Sequence, residues 1–184
     1  ILIDSGSHRY KGKFSPGTIE HALGFWYNSP PRVYIESIHA HNCVEINRCS
    51  PSRRVLPYGA LPIEGGKITS DIYFLRSIWN RPDSFRQERL ILFSPGAWLC
   101  LFDKLSPVVR GSVALMTQWL HFGKDFIVKE NKDDELLLVH AIQKRRLYCR
   151  TLLSPQGSSL HQGEILPRLQ GWSATDMETL VPHP

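Results

Sequence analysis

Two imidazoles and a thiol stand at alternate positions in one short stretch of the sequence. His39, His41 and Cys43 are each separated by a single residue, and in a β-strand residues i, i+2 and i+4 project from one face. Imidazole nitrogen and thiolate sulfur are ligands of zinc, and Cys49 follows closely enough to supply a fourth. The other interpretation is the polar face of a half-buried strand, because the paired Cys-x2-Cys spacing is absent. We therefore predict no metal and no other cofactor, and the candidate ligands for the alternative are His39, His41, Cys43 and Cys49.

Basic side chains form a second pattern, in three clusters with aromatic neighbours. Guanidinium and ammonium groups neutralise phosphates, and aromatic rings such as Phe85 and Tyr148 stack on bases. A solvated face, or contacts with acidic neighbouring subunits, explains the same residues equally well. The middle cluster is Arg81, Arg86 and Arg89. The predicted contact residues for nucleic acid or for subunits are Arg53, Arg54, Lys144, Arg145, Arg146 and Arg150.

Sequence motifs of enzymes are missing. The Gly66-Lys67 pair lacks the earlier glycine and the following hydroxyl of a phosphate-binding loop, since Leu61 and Ile68 stand there. There is no Gly-x-Ser-x-Gly motif, and no cysteine has the sequence context of a protease nucleophile. The sequence therefore predicts no catalytic residues. A stand-alone enzyme or metal-binding domain built on His39, His41 and Cys43 is kept as the least favoured hypothesis.

The amino-acid composition limits the classes of protein to which the chain can belong. The chain has 184 residues, of which 42% are hydrophobic and 21% are charged. These values suit one domain, or one domain with an arm, and allow a buried core. The net charge of +5 permits a nucleic-acid partner without requiring one. Apolar runs such as residues 98–102 are far shorter than the roughly 20 residues of a membrane span, so we predict none. Four cysteines are too few for a disulfide scaffold, which predicts a reducing compartment.

In the first part of the chain the pattern predicts few regular elements. Residues 19–27 suit a short helix that the Pro30-Pro31 pair must stop. Residues 32–48 alternate as extended chain, with a change of phase that predicts a bulge or a turn. Residues 49–67 are rich in proline and glycine and suit a linker. We predict an extended N-terminal arm or small subdomain over residues 1–68.

The second part is more regular. Apolar residues spaced i, i+3 and i+7 predict a helix over residues 71–80, and a Pro-Gly start predicts another over 97–105. Residues 126–130 and 135–142 flank a polar turn, which predicts a hairpin. The remaining predicted strands are residues 89–93, 108–121 (with a helix as the alternative), 145–153 and 177–181. The sum is a mainly β chain with a few short helices, arranged as a sandwich or barrel.

Four segments in this order resemble a known family. They are residues 65–82, the Pro-led stretch 94–102, the Arg110-Gly111-Ser112-Val113 start of a strand, and Glu178-Thr179-Leu180-Val181-Pro182. This order is similar to that of capsid proteins of picorna-like viruses, of the iflavirus and dicistrovirus type. The resemblance implies a jelly-roll-like antiparallel β-sandwich over residues 69–184 and no catalysis. It also implies a shell subunit, released from a polyprotein, that contacts copies of itself, other structural subunits and RNA in the virion or host cytoplasm.

A second hypothesis stays open. The basic charge and five dispersed tryptophans also suit an accessory protein of an organellar ribosome, or of another intracellular ribonucleoprotein. Such a protein would be located in the mitochondrion and would contact RNA and neighbouring subunits. Both hypotheses share one expectation, which is that the chain is a structural part of a larger assembly.

Overall fold

The chain is mainly β, with antiparallel sheets and few helices, as the sequence predicts. A computed structural model describes residues 2, 30–49, 63–81, 84–132, 135–153, 156–174 and 180–184. The predicted helix 19–27 and most of the predicted arm lie outside these residues. The helical elements are α1 (Pro30–Ile35) and a 3-10 turn, η1 (Ile38–Ala40). The strands are β1 (Val44–Ile46), β2 (Ile63–Lys67), β3 (Tyr73–Asn80), β4 (Phe85–Ser94), β5 (Trp98–Pro107), β6 (Met116–Gln118), β7 (Phe126–Lys132), β8 (Glu135–His140), β9 (Arg146–Arg150), β10 (Trp172–Ala174) and β11 (Leu180–Pro182).

The chain divides into two compact units. The first unit combines Ile1–Glu45 with Gln118–Pro184, and the second unit is Ile46–Thr117. The strand orders are β2-β3-β4-β5 in a four-stranded sheet and β7-β8-β9 in a three-stranded sheet, and β1-β6 and β10-β11 form two-stranded sheets. The predicted domain boundary at residue 68 and the jelly-roll arrangement stay predictions.

The four-stranded sheet is a regular antiparallel meander. Its central strands pair without a register shift, from Tyr73 opposite Phe93 to Asn80 opposite Arg86. The next pair continues from Phe85 opposite Pro107 to Ser94 opposite Trp98. An unbroken register keeps alternate side chains on one face along every strand.

Two predicted helices are wrong, because both segments are strands of this sheet. Residues 71–80 are rich in β-branched and aromatic residues, and they are apolar on both sides of β3, a pattern that also satisfies helical spacing. Pro95 and Gly96 do not begin a helix. Gly96 has a φ of 77°, and the Ala97 N–H donates to the Ser94 carbonyl over 3.1 Å. That is a turn joining β4 to β5, since proline and a positive-φ glycine suit its central positions.

The predicted extended segment 32–48 is also largely wrong. Helix α1 begins at Pro30, where proline is tolerated because the first N–H groups of a helix have no partner inside it. Tyr34 and Ile35 are buried in the core of the first unit, against Trp172 among others. The Tyr34 hydroxyl donates to the backbone carbonyl of Trp172 over 3.0 Å and accepts from the backbone N–H of Trp172 over 3.1 Å. The segment is helical because one face of α1 is buried in this core, and no local sequence pattern indicates that burial.

The predicted hairpin is confirmed. Strands β7 and β8 pair across the polar turn, with an irregularity between Val128 and Glu130. Strand β9 confirms the strand predicted at residues 145–153, and it pairs with β8 from Glu135 opposite Arg150. Leu138 of the central strand is completely buried. The strand predicted at 108–121 is shorter than expected, since only β6 forms there.

Candidate interaction surfaces

The predicted metal ligands do not share one face. The prediction required a strand through residues 39–43, but the chain turns through η1 and becomes extended only at β1. His39 is buried, His41 and Cys43 are half-buried, and Cys49 is exposed. Among the residues described, no group of three or more His, Cys, Asp or Glu side chains is arranged to hold a metal ion. The structure therefore gives no support to the metal alternative.

His39 has a different set of neighbours, which sequence spacing did not indicate. Its Nε2 lies 3.1 Å from Glu45 Oε1, and the Trp119 Nε1–H donates to Glu45 Oε2 over 3.2 Å. The Trp119 and His39 rings meet edge to face, with centroids 4.9 Å apart. Burial lowers the pKa of His39, the positive charge of Arg168 lowers it further, and Glu45 opposes both effects. This buried polar cluster holds together chain segments that are distant in sequence.

The three basic clusters have different environments. Arg53 and Arg54 lie outside the described residues. In the middle cluster, Arg89 makes a bidentate pair with Asp103, with both N–O distances at 2.8 Å. The Asp103 side chain has no solvent exposure, and Arg81 is buried as well. Arg81 and Arg89 therefore act within the four-stranded sheet and do not offer a surface.

The third cluster is exposed and ordered by a strand. Arg146, Tyr148 and Arg150 alternate along β9, so their side chains share one face, which we call the β9 face. Tyr148 is 59% exposed. Lys144 and Arg145 are also exposed, in the turn between β8 and β9. Two of the predicted contact residues thus lie on either side of an exposed aromatic ring, and two more lie in the adjoining turn.

The largest apolar surface is the four-stranded sheet. Its unbroken register defines two faces by alternation. The Tyr73 face carries the apolar side chains of Tyr73, Leu75, Trp79, Ile91, Phe93, Leu99, Leu101 and Leu105. The Phe74 face carries those of Phe74, Ile78, Leu90, Leu92, Trp98, Cys100 and Phe102. Both faces of one sheet are therefore apolar.

Neither face is covered within the described structure. No residue of β3 or β5 is buried as a whole, although the Asp103 side chain of β5 is, and on β4 only Phe85 is buried. Leu99 on the Tyr73 face is 50% exposed, and Phe102 on the Phe74 face is 41% exposed. Of the twenty exposed large hydrophobic residues described, eleven belong to the second unit. Sequence reasoning missed this surface because the helix prediction for β3 and β5 gave each segment only one apolar side.

Polar groups at the centre of each face are paired inside the sheet. On the Tyr73 face the ion pair is Arg89 with Asp103. On the Phe74 face Arg76 Nε donates to Glu88 over 2.6 Å, and Arg76 Nη1 donates to Glu64 over 3.2 Å. The hydrogen bond that Glu88 accepts from Arg76 lowers the pKa of Glu88, and donation to Glu88 and Glu64 raises the pKa of Arg76. The charges at the centre of each face are thus matched within the sheet.

Comparisons with known proteins add no relative. The scan against protein-family models, the search of curated proteins and the search of solved structures each returned no match. Within the residues that the structure describes, no helix has the length and apolar character needed to cross a membrane.

Proposed function

We propose that this protein is a structural subunit of a large assembly, in which copies of this chain cover the two faces of the four-stranded sheet. The observation that carries the proposal is a sheet that is apolar on both faces and whose apolar residues, apart from Phe85, are not buried. A sheet is stabilised when its apolar face packs against another layer. Contiguous exposed apolar surface on a soluble protein marks an interaction site.

The charge pattern favours further copies of this chain as the partners that cover the two faces of the sheet. Because the central ions of each face are already paired within the sheet, a neighbour needs to supply apolar surface and not compensating charge. The same chain offers that surface. One dimer contact would cover a single face, so two apolar faces call for at least two neighbours, which is the condition for a ring or shell.

The resemblance to picorna-like capsid proteins specifies the assembly as a virion shell. A mainly antiparallel β chain is compatible with a shell subunit. In that role the chain needs no catalytic group and no cofactor, and its partners are copies of itself, other structural subunits and the enclosed RNA.

The experiment is the native mass of the particle that contains this chain, by sedimentation and electron microscopy. We expect a closed particle in which the chain is present in many equal copies. One copy in each ribonucleoprotein particle would reject the shell and favour the ribonucleoprotein hypothesis. A monomer at every protein concentration tested would reject both.

A second candidate function is RNA contact through the β9 face, whose two guanidinium groups flank an exposed tyrosine. This arrangement suits phosphate neutralisation and base stacking on single-stranded RNA. The test compares the salt dependence of RNA affinity in Arg146→Gln/Arg150→Gln with that in Arg110→Gln/Lys124→Gln, which removes the same charge from exposed positions elsewhere. Since each phosphate contact contributes about 0.7 to the slope of log K against log salt, the first variant should lower the slope by about 1.4. Equal changes in the two variants would reject the β9 face as the contact.

A further inference from the structure

Three side chains of one loop have the connectivity of a nucleophile, a base and an orienting carboxylate. The Ser159 hydroxyl lies 2.9 Å from His161 Nε2. On the opposite side of the ring, His161 Nδ1 lies 2.7 Å from Glu164 Oε2. With the ring proton on Nδ1, the imidazole donates to Glu164 and Nε2 accepts the serine proton. Such a triad is defined by these contacts and roles and not by sequence motif.

The loop that carries these residues is held in place. Glu164 and Gln170 exchange two backbone hydrogen bonds, of 2.9 and 3.1 Å. Gly171 has a φ of 68°, and a Cβ there would overlap the carbonyl oxygen of His161, so the two strands of the loop approach closely only because this residue is glycine. The Glu164 carbonyl also accepts from Trp172 Nε1 over 2.8 Å. These contacts hold the backbone of the loop around His161 and Glu164 in place before any substrate binds.

The environment of the imidazole suits an acyl acceptor site. The His161 ring packs beside Trp119, with centroids 5.9 Å apart, and the Arg168 guanidinium lies 5.9 Å from the same indole. Ser159 is exposed and His161 is partly exposed, so a substrate can reach the hydroxyl. The aromatic ring offers an apolar surface to an acyl group, and Arg168 brings positive charge near it.

We propose that Ser159 is a reactive nucleophile toward carboxylic esters, with His161 as its general base and Glu164 as a positioning residue. Ser159 Oγ forms a bond to the ester carbonyl carbon while its proton passes to His161 Nε2. The bond from that carbon to the alcohol oxygen then breaks, and the alcohol leaves with the proton from His161. Water attacks the acyl-serine by the same route in reverse, releasing the acid and restoring Ser159. This activity is independent of the proposed structural function, and it departs from the expectation that the chain has no catalytic residues.

The test uses the full chain with a fluorophosphonate probe and with p-nitrophenyl acetate. In the first reaction Ser159 Oγ bonds to phosphorus, fluoride leaves and His161 takes the proton. We expect one equivalent of probe on Ser159 by peptide mass spectrometry, and a burst of one equivalent of p-nitrophenolate. Ser159→Ala should abolish both, whereas the matched control Ser158→Ala, an adjacent exposed serine, should change neither.

Two further variants separate catalysis from structure. A general base contributes roughly 100-fold or more, so His161→Gln should lower the labelling rate of Ser159 by about 100-fold. Glu164→Gln should lower it as well, and Glu164→Asp should restore most of the rate, which a purely structural role would not produce. Labelling of Ser159 no faster than that of Ser158 would overturn the proposal. An unchanged rate in His161→Gln would overturn it too. Since Ser159 is exposed, we expect its alanine variant to keep the fold, and a thermal melt of each variant checks that a loss of labelling is not a loss of structure.

Discussion

Replacing Leu99 and Phe102 by serine tests whether both faces of the four-stranded sheet are covered by other subunits. The two side chains lie on the same strand, β5, but on opposite faces. Complete burial of a leucine or phenylalanine side chain is worth about 1.5–3 kcal/mol. Leu99 is 50% exposed and Phe102 is 41% exposed in the single chain. Covering the exposed part of each side chain should therefore contribute about 1 kcal/mol to association.

The double variant has a defined expected effect. Because the two side chains point away from each other, their contributions should add to about 2 kcal/mol, which corresponds to association weakened about 30-fold. Each single variant should weaken association about fivefold. Sedimentation velocity over a range of protein concentrations measures the association midpoint, and a thermal melt shows that each variant is folded under those conditions.

Leu153→Ser is the matched control. Leu153 is 85% exposed and lies outside the sheet, so its loss should leave association unchanged. If the control weakened association as much as Leu99→Ser, the exposed hydrophobic residues would act nonspecifically. If Leu99→Ser/Phe102→Ser assembled at the wild-type midpoint, the sheet would not be the interface, and the reasoning from its two apolar faces would be refuted.

Three further predictions concern stability. Arg89→Met leaves the buried Asp103 carboxylate without its bidentate partner and should lower the free energy of unfolding in urea by about 3 kcal/mol. The double variant Arg89→Met/Asp103→Leu should recover this loss, and no recovery would contradict the pairing argument. Leu138→Ala opens a cavity at a fully buried position and should lower the free energy of unfolding by about 3 kcal/mol. In the same urea titration, Leu153→Ala at an exposed position should lower it by less than about 0.5 kcal/mol. The pKa of His39 is lower in the folded protein than its ordinary value of 6.5, so the unfolded chain binds more protons just below that pH. The resulting stability is complete above pH 6.5 and is lost as the pH falls through the lower folded pKa. The free energy of unfolding of His39→Gln should therefore differ less between pH 7.5 and pH 5.0 than that of the wild type. An unchanged difference between the two pH values would exclude His39 as its source.

Local chemistry accounts for the parts of the fold that were predicted. The β7–β8 hairpin follows from two β-prone segments around a polar turn, and β9 from an extended basic segment after it. Alternation along β9 also places its two arginines on one side of the strand. These features depend only on neighbours in sequence, so the sequence contains the information that determines them.

The four-stranded sheet shows where local patterns do not determine structure. The apolar positions of β3 fit a helix as well as a strand apolar on both sides, and only pairing with β4 along eight residues decides between them. In the same way, the sequence before Pro30 predicts that a helix ends there, whereas in the structure α1 begins at Pro30. This helix forms because Tyr34 and Ile35 pack into a core that includes Trp172.

The sequence by itself determined the β-rich class, the hairpin of the first unit and the basic character of β9. Only the tertiary structure decided that both faces of the second unit's sheet are apolar and exposed, that Arg89 is matched by Asp103, and that His39 meets Glu45 and Trp119. The physical reason is the range of the interactions. Hairpins and alternation arise between residues close in sequence, whereas burial, ion pairing and the choice between helix and strand depend on partners that the fold brings from distant parts of the chain.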